Sequence, residues 1–149
     1  MGIGRSCSLN NLKKSYLEAN DALDLGWLMG KRNSIIRYSE LGIFSLLLEL
    51  DRSMLAKYCE KQLAGLLNAD DHDASLLNTL RQMLDRSFHW ADVSKLLFIH
   101  VNTLHYRIDR ISKLLKADFS RQEVRTNYYI TIKLYDLLCD HRQHDITPI

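Results

Sequence analysis

The chain has 149 residues, of which 46% are hydrophobic and 26% charged, with a formal net charge of +2. That length holds one or two small domains. The composition is that of a globular protein, and the charge excludes a uniformly basic nucleic-acid binder while leaving room for a local basic patch. Cys7, Cys59 and Cys139 are three and far apart, which argues against a disulfide framework and suits a reducing cytosol. Met1 to Asn10 holds no apolar signal core. No stretch approaches the roughly 20 apolar residues of a membrane span, since the longest, Leu41 to Leu50, ends at Asp51 and Arg52. A cytoplasmic location is expected.

In chain order, Gly2-Ile3-Gly4-Arg5 reads as the end of a strand and its turn. Ser8 is placed to cap a helix in which Leu12, Tyr16, Ala19 and Leu23 form an apolar stripe, up to about Gly30. Ile35 to Tyr38 fits a short strand. Ser39 is a suitable N-cap for a helix through Leu50, with Leu41, Phe44 and Leu48 on one side. Asp51 caps the next helix, whose apolar positions are Leu55, Cys59, Leu63 and Leu66. A polar break runs from Asn68 to His72. A helix from about Asp73 to Arg86 turns Leu77, Leu80 and Leu84 inward, and Ser87-Phe88-His89 connects it onward. Beyond Lys116 a loop precedes a last helix, from Arg121 to about Asp140, with Val124, Tyr128, Ile132, Tyr135 and Leu138 available for packing. The segment 142–149 carries the one Pro and reads as a frayed tail.

Trp90 to Lys116 is the stretch with the sharpest pattern. A short helix, with Trp90, Val93, Leu96 and Leu97 as its buried side and Ser94 small enough for a close crossing, leads into a corner at Phe98-Ile99-His100. His100 caps a second helix, and Thr103 keeps its first turn polar. In that second helix Leu104, Ile108, Ile111 and Leu115 make one apolar stripe. Asn102, His105, Tyr106, Asp109 and Lys113 occupy the opposite face, with Arg107 and Arg110 on its flank. Two short helices with a three-residue turn are the helix-turn-helix pattern, although an ordinary helical hairpin in a bundle gives the same spacing. The charge distribution favours the first without deciding between them. Glu49 to Asp85 holds four Lys/Arg against seven Asp/Glu, whereas Arg86 to Lys116 holds six against two. The positive charge gathers where the pattern lies, as DNA binding requires.

The run Leu97-Phe98-Ile99-His100, Asn102-Thr103-Leu104, Tyr106-Arg107 and Arg110-Ile111 resembles the C-terminal DNA-binding domain of PucR and sugar-diacid (CdaR) type bacterial transcription regulators. Ile130 to Leu138 resembles the Leu- and Tyr-rich helix that ends those proteins. Val101 and His105 stand where that pattern carries Arg. GIGR, with LKKSYLEANDAL and IIRYSELGIFSLL after it, resembles the last part of a degenerate GGDEF-like domain, without its metal and nucleotide motif. The resemblance implies a mainly α fold, a helical bundle containing the helix-turn-helix and preceded by a remnant of an α+β GGDEF-like domain. It implies a remnant over 1–38, a DNA-binding domain over 39–141 and a flexible tail over 142–149. The chain is then expected to be the C-terminal piece of a longer regulator whose effector is sensed by a missing N-terminal region.

The expected partners are double-stranded DNA and a second copy of the chain, with no membrane. The expected DNA contacts are Asn102, Thr103, His105, Tyr106, Arg107, Arg110 and Lys113 on a recognition helix of about 101–115. No enzyme activity, cofactor or metal site is expected. Asp70, Asp71, His72 and Asp73 lack the ligand spacing and Gly of a Ca²⁺ loop and read as a solvated helix-capping loop. His141 and His144 read as exposed tail, and Gly2 and Gly4 are too sparse for a phosphate loop. His100 and His105 are of the residue type that changes charge near neutral pH. Two other functions stay open, a helical dimerisation module that has lost DNA binding and a nucleotide sensor built on the GGDEF-like part.

Overall fold

A computed structural model of the chain describes residues 1–69 and 75–144, with side chains through 138. The acidic stretch from Asp70 to Asp73, the side chains of Cys139, His141 and His144, and residues 145–149 lie outside the described residues. The fold is mainly helical. Strand β1 is Gly2–Ile3 and β2 is Ile36–Arg37. The helices are α1 (Leu12–Leu28), α2 (Ile43–Leu47), α3 (Arg52–Leu67), α4 (Ser75–Asp85), α5 (Trp90–Leu96), α6 (Val101–Leu115) and α7 (Gln122–His144). Two compact units divide these elements, Met1–Lys57 with Lys133–Ile149, and Tyr58–Ile132.

In the first unit β1 and β2 pair in parallel, Gly2 opposite Ile36 and Ile3 opposite Arg37. Parallel strands need a crossover connection, and α1 supplies it, packing on both strands. A Cβ on Gly2 would sit 1.9 Å from the Ala19 carbonyl oxygen, and one on Gly4 would sit 2.0 Å from that of Ser15. The two glycines therefore exist to let the strand lie against the α1 backbone.

The orientation of α1 overturns the expectation from its apolar stripe. Leu12, Tyr16 and Leu23 are exposed, and the buried face is Glu18, Asp21, Ala22, Leu25 and Gly26. The reason is charge pairing. Glu18 takes the Arg5 backbone N–H at 2.9 Å and its Nη2 at 2.6 Å. Asp21 takes Arg52 Nη2 on both carboxylate oxygens, at 2.7 and 2.8 Å. Buried carboxylates persist only when paired in this way. At the far end of α1 the buried Lys133 donates to the Leu28 carbonyl at 2.6 Å, covering one of the last carbonyls of the helix.

Two further expectations are corrected here. The single helix from Ser39 to Leu50 is instead a 3-10 turn over Tyr38–Glu40 and the short α2. Gly42, at φ +59°, breaks the two apart, although Leu41 and Phe44 are buried as the pattern requires. Ser8 precedes a 3-10 turn and makes no side-chain cap. Asp51 does cap α3, its Oδ1 accepting from the Met54 N–H at 3.0 Å.

In the second unit the core is Cys59, Leu63 and Leu66 from α3, with Leu76, Leu80, Met83 and Leu84 from α4. Val93, Leu104, Ile108, Ile111, Phe119, Tyr128 and Ile132 complete it. Leu77, Val124 and Leu115, expected inside, are half-buried. Gly65 of α3 meets α6 where a Cβ would lie 2.2 Å from the Leu114 carbonyl oxygen. Helix α4 packs on α5 and α6, and α5 packs on α6. Each aliphatic side chain buried this fully contributes roughly 1.5–3 kcal/mol, which fixes the α6 stripe against its neighbours.

Candidate nucleic-acid interface

Helices α5 and α6 form the corner that the sequence pattern calls for. Their junction closes without glycine. The Phe98 N–H donates to the Lys95 carbonyl at 3.2 Å and the Ile99 N–H to the Ser94 carbonyl at 3.1 Å. This is a Schellman closure with Phe98 in the left-handed position, at φ +53°. The same pair of bonds ends α4, with Ser87 left-handed, and ends α6, with Lys116 left-handed. The chain thus turns three times in succession at residues that carry a Cβ. Phe98 is 95% exposed, so its ring contributes almost nothing to the core.

His100 begins α6 as expected. Its backbone is extended, and its Nδ1 accepts from the Asn102 N–H at 3.2 Å. On α5, Ser94 is buried and its hydroxyl donates to the Ala91 carbonyl, which keeps this small side chain out of the way of the crossing. The expected buried side of α5 is narrower than its sequence implies. Val93 is buried, Leu97 is half-buried and Leu96 is exposed.

The α6 stripe Leu104, Ile108 and Ile111 is buried. That leaves Asn102, Thr103, His105, Tyr106, Asp109, Arg110 and Lys113 exposed, all on the arc of the helix away from the stripe. Arg107 sits at the edge of this arc. It is half-buried, and its Nη1 donates to Thr79 Oγ1 of α4 at 3.2 Å. Six of the seven residues named from the sequence therefore share one open face, and Arg107 is turned partly toward α4. Asp109 is the one acid among the exposed residues of that face, and Lys95 and Lys116 are exposed nearby in sequence.

Trp90, like Leu96, is misplaced by periodicity. It is half-buried rather than core, and its ring stacks on the imidazole of His105 with centroids 4.0 Å apart and planes 17° apart. The two residues lie 15 positions apart, across the corner, so the pair shows only once the crossing of α5 and α6 is known. No helix among the described residues is long and apolar enough to cross a membrane, and no cluster of metal-ligating side chains occurs among them.

Comparison with known proteins agrees with this architecture. The family model for the PucR C-terminal helix-turn-helix domain matches residues 76–134, which cover α4, α5, α6 and most of α7. The chain is similar to the proline-responsive transcriptional activator PutR of Bacillus subtilis (strain 168), at 34% identity over 90% of this chain and 34% of that protein. It is similar to the purine catabolism regulatory protein of the same organism, at 28% identity over 92% of this chain and 26% of that protein. It is also similar to the carbohydrate diacid regulator of Escherichia coli (strain K12), at 29% identity over 83% of this chain and 32% of that protein. The chain thus spans about a third of the length of these relatives. No solved structure matches. Residues 76–134 are a PucR C-terminal helix-turn-helix domain, and with it the chain belongs to the PucR/CdaR-type regulators.

Proposed function

We propose that the chain is the DNA-binding part of a transcription regulator, with α6 as the recognition helix in the major groove. The observation that carries this reading is the polar face of α6, held open by a buried stripe on the opposite side. In a helix-turn-helix the N-terminal residues of the second helix meet base edges. Asn102, Thr103 and Tyr106 take that role here, since Asn pairs bidentately with adenine and Thr meets a thymine methyl or a phosphate. Arg110 and Lys113 hold phosphates. Arg107 braces α6 on Thr79 and turns its remaining donors to a phosphate, since a guanidinium carries five. Asp109 repels phosphate, so the helix tilts out of the groove by that turn.

Such modules bind two half-sites about 34 Å apart, and the reading includes a homodimer and an effector sensed outside these residues. Residues 1–38 are read as a remnant of a GGDEF-like α+β domain, on the resemblance of Gly2-Ile3-Gly4-Arg5 and the residues after it. The reading expects a small metabolite as effector, since the relatives include a proline-responsive activator and a carbohydrate diacid regulator.

The competing reading is a helical interaction module without DNA binding. It is favoured by the attachment of Arg107 to Thr79, which draws one cation off the face. Selection of bound duplexes from a random pool, followed by fluorescence anisotropy at two salt concentrations, separates the two. An enriched sequence with salt-dependent affinity supports DNA recognition. No enrichment and no salt-dependent binding replaces it with the interaction module.

A further inference from the structure

The aromatic side chains of the second unit form a connected series that ends at the exposed face of α6. Tyr128 and Phe119 have ring centroids 5.2 Å apart, and Phe119 stacks on Phe88 at 5.7 Å. Phe88 is buried and meets the Trp90 ring edge-on at 6.4 Å and 77°. Its other neighbour is the Arg125 guanidinium, 4.3 Å from the ring centroid. Trp90 then stacks on His105. Every ring before Trp90 in this series is buried, so the plane of the indole is set from below. The imidazole at the end is exposed.

Among the described residues neither nitrogen of His105 has a hydrogen-bond partner. An exposed histidine ordinarily samples several rotamers, and fixing a side chain costs entropy that binding must repay. Stacking at 4.0 Å meets that cost before any ligand arrives. It also presents the imidazole by its edge, where its donor and acceptor atoms lie, and leaves no open ring face on the side of Trp90. A group fixed in plane, with no partner from the described residues on its ring nitrogens, is suited to a directional hydrogen bond and poorly suited to serving only as diffuse positive charge.

Resting on the DNA-binding reading above, we propose that Trp90 is a positioning residue that holds His105 edge-on to read one base pair. The ring N–H meets the acceptor edge of a purine in the major groove, and guanine offers two acceptors there, N7 and O6. Trp90 itself touches no base in this scheme. Specificity at that base pair is thereby built on two helices, with the reading atom on α6 and its alignment on α5.

The test is base preference measured position by position with the whole chain, for His105→Ala, Trp90→Leu, Trp90→Phe and the double variant His105→Ala/Trp90→Leu. His105→Ala is expected to flatten the preference at one base pair by about fivefold, the worth of one net hydrogen bond. Trp90→Leu is expected to flatten the same base pair, Trp90→Phe to keep most of the preference because a ring face remains, and the double variant to do no worse than His105→Ala. Far-ultraviolet circular dichroism verifies the fold of each. Were Trp90→Leu to unfold, Trp90→Met, which fills the site without a ring face, would take its place and be expected to flatten the same base pair. An enriched site whose preferences survive His105→Ala at every position overturns the inference and leaves DNA recognition standing. So does a loss shared by all sequences with a lower salt slope, which marks a phosphate contact, or full additivity of the two substitutions. Absence of any enriched site overturns both.

Discussion

Arg107 Nη1 donates to Thr79 Oγ1 at 3.2 Å, tying α6 to α4. Thr79 is fully buried, and its hydroxyl proton is already given to the Ser75 carbonyl at 2.6 Å. The oxygen therefore has lone pairs to offer, and Arg107 takes one. Arg107→Ala is expected to cost about 1 kcal/mol of stability through this bond. It should also weaken DNA binding about equally on all sequences and lower the salt slope by about one unit. Thr79→Val is expected to share the stability loss while leaving the salt slope alone. Denaturant melts and salt titrations of both variants check this, and a Thr79→Val slope that falls with that of Arg107→Ala would contradict the division of roles.

Phe98 carries a Cβ at φ +53° and leaves 95% of its surface in water. Left-handed backbone costs an L-residue roughly 1–2 kcal/mol, and here no burial offsets it. Phe98→Gly is expected to stabilise the domain by about 0.5–1 kcal/mol, the strain relieved less the extra entropy of glycine. Phe98→Val is expected to destabilise, since a branched Cβ fits this region worst. Urea midpoints decide it. A Phe98→Gly variant less stable than the parent would mean that the ring has a partner.

The first unit is expected to be acid-sensitive through Glu18. Its carboxyl is held below the ordinary carboxylate range, first by the Arg5 side-chain hydrogen bond, against the opposing effect of burial. A carboxyl with a lowered folded-state pKa contributes stability that is full above the unfolded value and is lost as pH falls through the folded one. Glu18→Gln is expected to cost roughly 1.5–3 kcal/mol near neutrality, as for a hydrogen bond to a charged group, and to flatten the acid limb of the stability profile. The exposed Glu49, which pairs with Arg5 and Lys14, is expected to matter far less, because exposed pairs are screened. Circular dichroism melts from pH 7 to pH 3 show whether the two variants part in this way.

What was legible in the sequence follows from which forces set each element. Helix α6 was readable because Leu104, Ile108 and Ile111 are buried at helical spacing. The caps at Asp51 and His100 were readable because a polar side chain precedes each helix. Helix α1 was misread because its inner face is Glu18 and Asp21, made tolerable by Arg5 and Arg52, 13 and 31 residues away. Its apolar stripe faces outward, so periodicity pointed to the wrong side. The closures at Ser87, Phe98 and Lys116 carry no glycine to mark them. The stacking of Trp90 on His105 depends on how two helices cross, which no local pattern records.

The last prediction concerns Asn102, whose side chain and backbone do different things. Its N–H donates to His100 Nδ1 and so completes the cap of α6, while its side chain is exposed on the proposed reading face. Asn102→Ala keeps the backbone donor, so the helix and the melting temperature are expected to stay unchanged. Binding to the preferred site should weaken by roughly 1–3 kcal/mol, with preference relaxed at one position. His100→Ala does the reverse. It removes the acceptor and is expected to cost about 1 kcal/mol of stability, with every DNA sequence affected alike. Anisotropy against the selected site and a single-position mismatch, alongside thermal melts, separates the two behaviours. Should Asn102→Ala and Arg107→Ala both leave affinity for the selected site untouched in a folded protein, α6 is not the recognition helix, and the interaction-module reading takes its place.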